Sequence, residues 1–393
     1  MKFAKRISRL TIDSDLPEYD PGNLKKLISD DTISLTEGWS PEHTLPEHIK
    51  EAAKRAVDKH THYIPFGLPE LRQAIAEKLR KENEIEVNPM TEVLVTTGGI
   101  EVEHLSIWTL VDRGDEVILA DPEYRHSYEP NVLLAEGKMV YVPLREQRKF
   151  KLDPEDIEKK VTKRTKMIVL ITPGNPTGAL LDKSDLEGIA DIAKKKDLFV
   201  LSDEVFEKLI YDGKKNISIG SILGMEERTL TLHSFSKSWN MAGFRIGYVA
   251  GPREIIKRMA NLQIHVTTSV SEIAQAAALA ALEGPRDWLE DAVKTYETRR
   301  NMLVDELNHT KGIRCLKPEG GRCAFPNIGS YNMPTLKFVK YLLKEANVLT
   351  IPTLTHQYGA NASRYVKIGF CRPEETIREA ARKIKAALEK LAS

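Results

Sequence analysis

The stretch Ser234-Phe235-Ser236-Lys237-Ser238-Trp239-Asn240-Met241-Ala242-Gly243-Phe244-Arg245-Ile246-Gly247-Tyr248 links an apolar run at 229–232 to a second at 246–250. Short apolar runs without polar alternation suit strands covered on both faces, as in a mostly parallel sheet flanked by helices. Lys237 then falls in a loop at the carboxyl end of a strand, where open α/β sheets bind their ligands. A desolvated lysine can lose its proton and act as a nucleophile, while the neighbouring hydroxyls and Arg245 suit a phosphate dianion. The plain alternative is a solvated loop carrying an ordinary surface lysine.

Working outward, five more runs of the same kind occur at 93–95, 117–120, 139–142, 167–171 and 198–201. Seven runs predict one large α/β domain with a mostly parallel seven-stranded sheet flanked by helices. Two amphipathic helices precede it. Ile49, Ala52, Ala53, Ala56 and Val57 share one helical face, and Leu71, Ala74, Ile75, Lys78 and Leu79 repeat that spacing after Pro69. Beyond Gly251-Pro252 the pattern turns helical, with a long helix expected over 286–308. Strands near 324–325, 348–351 and 365–370, with helices over 336–346 and 374–391, read as a smaller α+β domain. The expected division is an N-terminal arm at 1–45 that belongs with the small domain, a large ligand-binding domain at 46–285 and a small C-terminal domain at 286–393.

Composition narrows the function. Lys+Arg 58 against Asp+Glu 57 gives a net charge of +1 without blocks of like charge, which argues against a nucleic-acid or anionic-membrane partner. Cys315, Cys323 and Cys371 are odd in number and lack CxxC spacing, so neither a disulfide framework nor a zinc site is expected. The ten histidines form no H-x-x-x-H pair, and no metal is expected. No apolar run reaches about 18 residues, and Met1-Lys2-Phe3-Ala4-Lys5-Arg6 leads into no signal-peptide core, so no membrane partner and a cytoplasmic location are expected.

Other segments carry chemistry at further strand ends. Asn175-Pro176-Thr177-Gly178 follows the run at 167–171, although such a segment is also a strong turn signal in its own right. Asp203 ends the run at 198–201 plus Ser202, and a carboxylate there is costly unless it is paired or caps the next helix. Thr96-Thr97-Gly98-Gly99-Ile100 follows the first run and opens a helix, which presents free N–H groups to an anion. Tyr124 in Asp121-Pro122-Glu123-Tyr124 reads either as a ring-stacking residue or as a core tyrosine.

Taken together, Ser234, Ser236, Lys237, Gly243, Arg245, Gly247 and Tyr248 resemble the cofactor-lysine motif of the class I/II aminotransferases, the fold-type I pyridoxal-phosphate enzymes. The resemblance extends over nearly the whole chain, through Asn175-Pro176-Thr177-Gly178, Asp203, Gly99-Ile100 and the segment from Tyr63 to Arg72. It implies that the large domain binds pyridoxal 5'-phosphate. Lys237 would form the Schiff base and then move the proton at the substrate α-carbon. Ser234, Ser236, Arg245 and the amides of Gly99 and Ile100 would hold the phosphate. Asp203 would pair the pyridine nitrogen, keeping the ring an electron sink. Tyr124 would stack on the ring, and Asn175 would hydrogen-bond its phenolic oxygen. Tyr63 would reach the phosphate of a neighbouring subunit, which implies a homodimer with shared active sites.

Two departures from the family pattern bear on mechanism. Phe206 stands where relatives carry a tyrosine that donates to the phenolic oxygen, so the pKa of the lysine–cofactor imine is expected to rise. Lys367, in Lys367-Ile368-Gly369-Phe370, replaces the arginine that clamps the substrate α-carboxylate, and a point charge cannot supply the planar fork. Lys367 itself, Arg364 or Arg372 could fill the role, or the substrate is unusual. Gly38, beside Trp39, falls where relatives carry a substrate loop. Arg322 reads as a surface arginine or as a second contact for a substrate carboxylate. The resemblance thus implies an aminotransferase that moves an α-amino group from an amino acid to a 2-oxo acid by a ping-pong mechanism. The alternative is another pyridoxal-phosphate reaction at the α-carbon, such as that of a β-lyase, decarboxylase, deaminase or cyclase.

Overall fold

The structure, a computed structural model, describes residues 7, 10, 27–36, 43–59 and 62–392. A first short strand, β1 (Ile33–Ser34), precedes the seven strands of the main sheet. These are β2 (Val93–Thr96), β3 (Glu116–Asp121), β4 (Lys138–Pro143), β5 (Thr165–Ile171), β6 (Phe199–Asp203), β7 (Thr229–Ser234) and β8 (Gly247–Ala250). Their order across the sheet is β2-β8-β7-β6-β5-β3-β4. All neighbours are parallel except β8, which runs against both β2 and β7.

Both faces of this sheet are covered, which explains the unbroken apolar runs. Ile118, Ala120, Ile168, Leu170 and Val200 enter one packed cluster. Their chain neighbours Val117, Leu119, Met167, Val169 and Leu201 enter the cluster on the opposite face. Burying each Val, Leu, Ile or Met side chain among them contributes about 1.5–3 kcal/mol. One expectation needs correcting: β4 is only half-buried and its Lys138 is exposed, whereas β2, at the opposite edge of the sheet, is buried throughout.

The helices follow from local signals. Pro69 occupies the first turn of the helix Pro69–Asn83, with Glu70 beside it at the positive end of the dipole. Asp182 and Asp185 form a reciprocal capping box on Lys183–Lys196. The long helix spans Asp287–Asn308. Among the described residues, no helix is long and apolar enough to cross a membrane.

Four further strands complete the fold: β9 (Cys323–Ala324), β10 (Val348–Leu349), β11 (Ile351–Pro352) and β12 (Val366–Gly369). The run at 348–351 is therefore not one strand. It breaks at Thr350, so that β10 pairs with β1 while β11 pairs with β12, which in turn pairs with β9. Leu35 packs with residues from Ala292 to Leu388 in one apolar cluster. The carboxyl ends of β2, β3, β5, β6 and β7 all open on the side where antiparallel β8 begins, and the candidate residues collect there.

Candidate active site

A cavity of about 280 Å³ opens at these strand ends. Gly99, Ile100, Tyr124, Asn175, Asp203, Ser234, Ser236, Lys237 and Arg245 line it, together with Phe206 and Glu103. The structure thus gathers nine residues that the sequence scatters from 99 to 245.

One end is built from backbone. Gly98, at φ +77°, precedes the helix Gly99–Leu110, whose first N–H groups have no partner within the helix. A Cβ on Gly98 would fall 2.6 Å from an Arg245 guanidinium nitrogen, and a Cβ on Gly247 would fall 2.9 Å from the carbonyl carbon of Gly98. At Gly247 only glycine lets the two passes of chain approach so closely, and at Gly98 the positive φ favours glycine. Ser234 Oγ accepts from Ser236 N at 3.1 Å and starts the single turn Phe235–Ser238 that carries Lys237. Arg245 Nη1 donates to Ala242 O at 3.0 Å and contacts Ser236 Oγ at 3.5 Å. Both of these partners are neutral, so the guanidinium, the helix N-terminus and two serines leave positive potential for an anion.

The other end is acidic. Asp203, at the end of β6 and 5% exposed, accepts from Tyr128 OH at 2.8 Å and Val205 N at 3.2 Å. Burial pushes its pKa up to about 6 even though both hydrogen bonds oppose the shift. Glu103 is also buried and accepts from Ser127 Oγ. Burial, and then the Asp203 charge, raise it well above the carboxylate range. A cation lodged beside Asp203 would relieve this desolvation.

Asn175 joins the cavity to the smaller sheets. Its Oδ1 accepts from Lys367 Nζ at 2.8 Å, and Lys367 also donates to Tyr358 OH at 3.3 Å. Lys367 is fully buried. Of the three cations considered for a substrate carboxylate, it is the one that reaches Asn175. Arg364 is exposed, and Arg372 donates to Ser34 O at 2.9 Å. Phe206 is buried, with its ring 5.9 Å from Lys237 Nζ. Tyr63 does not line the cavity and is 81% exposed. Gly38 and Trp39 lie outside the described residues. The reading of Arg322 as a surface residue is corrected: it is 3% exposed, on a segment held down by Gly321 N donating to Leu209 O and Tyr211 OH donating to Gly321 O.

Glu103, Tyr128 and Glu123 were missed from sequence. Single acids and tyrosines on helices and turns carry no spacing signal, although a glutamate directly before Tyr124 was a usable hint. Glu123 Oε1 accepts from Tyr124 N at 3.0 Å and Asn175 N at 2.7 Å, and burial lifts its pKa to about 8. Because the folded pKa is raised, the stability this group contributes is complete below the ordinary value near 4.5 and is lost as pH climbs through 8. Glu123→Gln keeps an oxygen for both N–H donors. The wild type should lose about 3–5 kcal/mol more than the variant between pH 5 and 9 in urea melts. Parallel pH profiles would refute this role.

Behind the sheet, Glu204, Glu207 and His233 bring three potential metal-ligating atoms within 4.8 Å of one another. Lys78 already ion-pairs with Glu207 and donates to Asn83 Oδ1 at 2.8 Å, so a buried cation occupies this group.

Residues 30–384 match the family model for aminotransferase class I and II. Aromatic-amino-acid aminotransferase 2 of Thermococcus litoralis is 38% identical over 389 residues, covering 97% of this chain and 99% of its own. An aspartate aminotransferase of Pyrococcus abyssi is 40% identical over 378 residues, covering 94% and 96%. Among solved structures, a single mutant of the Thermus thermophilus aspartate aminotransferase matches with a TM-score of 0.91 at 33% identity, covering 98% of this chain and 100% of that one. Members of this family use pyridoxal phosphate. With the strand-end cavity, the lysine turn and a match over nearly its whole length, the chain belongs to the class I and II aminotransferases.

Proposed function

We propose that this aminotransferase uses pyridoxal 5'-phosphate to move an α-amino group from an amino acid to a 2-oxo acid in two half-reactions. The observation that carries this is one cavity with a nucleophilic lysine between an anion seat and a buried carboxylate. The residues fit the cofactor: Arg245 bonds the neutral Ser236 Oγ and Ala242 O at one end, and Asp203 accepts from neutral donors at the other. When bound, pyridoxal phosphate supplies an aldehyde carbon and a cationic ring that accepts the electron pair released at the substrate α-carbon.

This chain's own groups do the rest. Gly99 and Ile100 N–H, Ser234, Ser236 and Arg245 hold the phosphate, and Asp203 holds the ring nitrogen. Tyr124 covers the ring face, and the Asn175 side chain orients the phenolic oxygen while Lys367 fixes its amide. Lys237 would hold the cofactor's aldehyde carbon, and its amine would move the proton at the substrate α-carbon as general base and acid. Lys367 neutralises the substrate α-carboxylate, with Gly38 in the substrate loop. Tyr63, exposed on this subunit, completes the phosphate site of a second copy in a homodimer. A cytoplasmic location suits substrates of this kind.

Aspartate and the aromatic amino acids, for which the relatives are named, are the donors to try first. Supplied alone to the holoenzyme, a true donor should yield no more than one equivalent of its 2-oxo acid per subunit, and continued turnover should require an added 2-oxo acid. Continuous product without an acceptor would identify a lyase, decarboxylase or deaminase instead.

A further inference from the structure

We propose that Glu103 is a second acid that works with Asp203 to hold the positive charge of the cofactor's ring nitrogen; this rests on the pyridoxal-phosphate reading above. Glu103 lies four residues after Gly99 on the helix Gly99–Leu110, so the two share the face that borders the cavity, while Val102 and Leu105 turn into the apolar cluster behind it. At 1.5 Å per residue, that step carries Glu103 about 6 Å along the helix from the anion seat. It ends among acids. Asp203 approaches from the end of β6, Ser127 and Tyr128 from the start of the helix Tyr128–Leu134, and Tyr124 from the loop before that helix.

No cation compensates this pair. Asp203 accepts from Tyr128 OH and Val205 N, and Glu103 accepts from Ser127 Oγ, all of them neutral donors. Arg245 bonds Ser236 Oγ and Ala242 O at the anion seat, and His104, the next residue on the helix, is bonded through Nδ1 to Asn131 Oδ1 at 2.8 Å. Two buried carboxyl groups so placed do not both ionise readily, and burial together with the Asp203 charge keeps a proton on Glu103. A single carboxylate suffices to hydrogen-bond a ring nitrogen, and burying a second acid is costly. What the second acid adds is a proton already in the cavity. As the cofactor binds, Glu103 gives that proton to the ring nitrogen, the electron pair of its O–H bond stays on the carboxylate, and the new negative charge adds to that of Asp203.

The test counts protons as the apoenzyme binds pyridoxal 5'-phosphate near pH 8, by calorimetry in two buffers of different ionisation enthalpy. Glu103→Gln has no proton to give, so it should take up about one more proton from the buffer per cofactor bound than wild type does. Its affinity for the cofactor should be weaker by about tenfold. Glutamine keeps an oxygen for Ser127 Oγ, so the apo variant should melt no lower than wild type at this pH. Glu103→Leu, which removes the hydrogen bond as well, should show the same extra proton, because a merely structural role would not change the count. Equal proton counts in wild type and in whichever variant folds overturn the proposal. Failure of the cofactor reading would show separately, as no binding heat in wild type, and would take the proposal with it.

Discussion

Replacing Lys237 with alanine should lower kcat for amino transfer on the order of 10⁴-fold or more, because one substitution removes both a covalent nucleophile and a general base. The fold should survive. Lys237 is half-buried on a single helical turn, and the cap between Ser234 Oγ and Ser236 N does not involve its side chain. The phosphate seat and Asp203 also remain, so the variant should still bind the cofactor, now without a covalent link. Borohydride followed by mass measurement reads this directly, with cofactor fixed to wild type and none fixed to Lys237→Ala. Lys237→Arg should not rescue turnover, since a guanidinium stays protonated. Appreciable activity in either variant would remove Lys237 from the chemistry.

The second large effect runs in two directions. Asp203→Asn should reduce kcat/KM by about 10²–10⁴-fold, because the ring nitrogen loses the charge that keeps it protonated. The same change should stabilise the protein without cofactor. Burial raises the folded pKa of Asp203 to about 6, so the stability it contributes is present below the ordinary aspartate value and lost as pH rises through 6. Asparagine can accept from both Tyr128 OH and Val205 N without bearing that cost. At pH 8 the variant should be more stable by about 2–3 kcal/mol in denaturant titrations. Cofactor affinity supplies an independent check: in wild type it should weaken as pH falls through 6, and in Asp203→Asn this step should be absent. A destabilised variant with an unchanged pH profile would contradict the assignment.

The main sheet was legible because its strands are covered on both faces, so the apolar runs at 117–120 and 167–171 mark β3 and β5 to within a residue or two at each end. The failures have local physical causes. The 139–142 run looked like the others, but apolar sequence does not reveal how completely the neighbouring layers cover a strand, and β4 stays half-buried. The run at 348–351 looked continuous because nothing in its composition says that its two halves pair with different strands. That Lys237, Asp203, Asn175 and Arg245 line one cavity was legible because motif spacing and strand ends pointed to the same positions. Glu103, Glu123 and the burial of Arg322 were not, since desolvation and a missing partner are properties of the assembled surroundings. Lys367 lay between these cases: its substitution for arginine was readable, and its hydrogen bond to Asn175 was not.

The reversed strand β8 also bears on how the chain folds. Val93 pairs with Ala250 and Thr96 with Gly247, so the edge of the main sheet closes through contacts among the most distant in the sheet's sequence. Such contacts gain nothing until the loop-closure entropy of the intervening chain has been overcome, which makes them slow to form. The Gly98–Gly99 turn and Arg245 flank this closure. A nascent chain that has emerged only as far as Lys237 therefore carries that amine without Arg245 beside it, and on the proposed roles phosphate binding would be a late event that reports completion of the sheet.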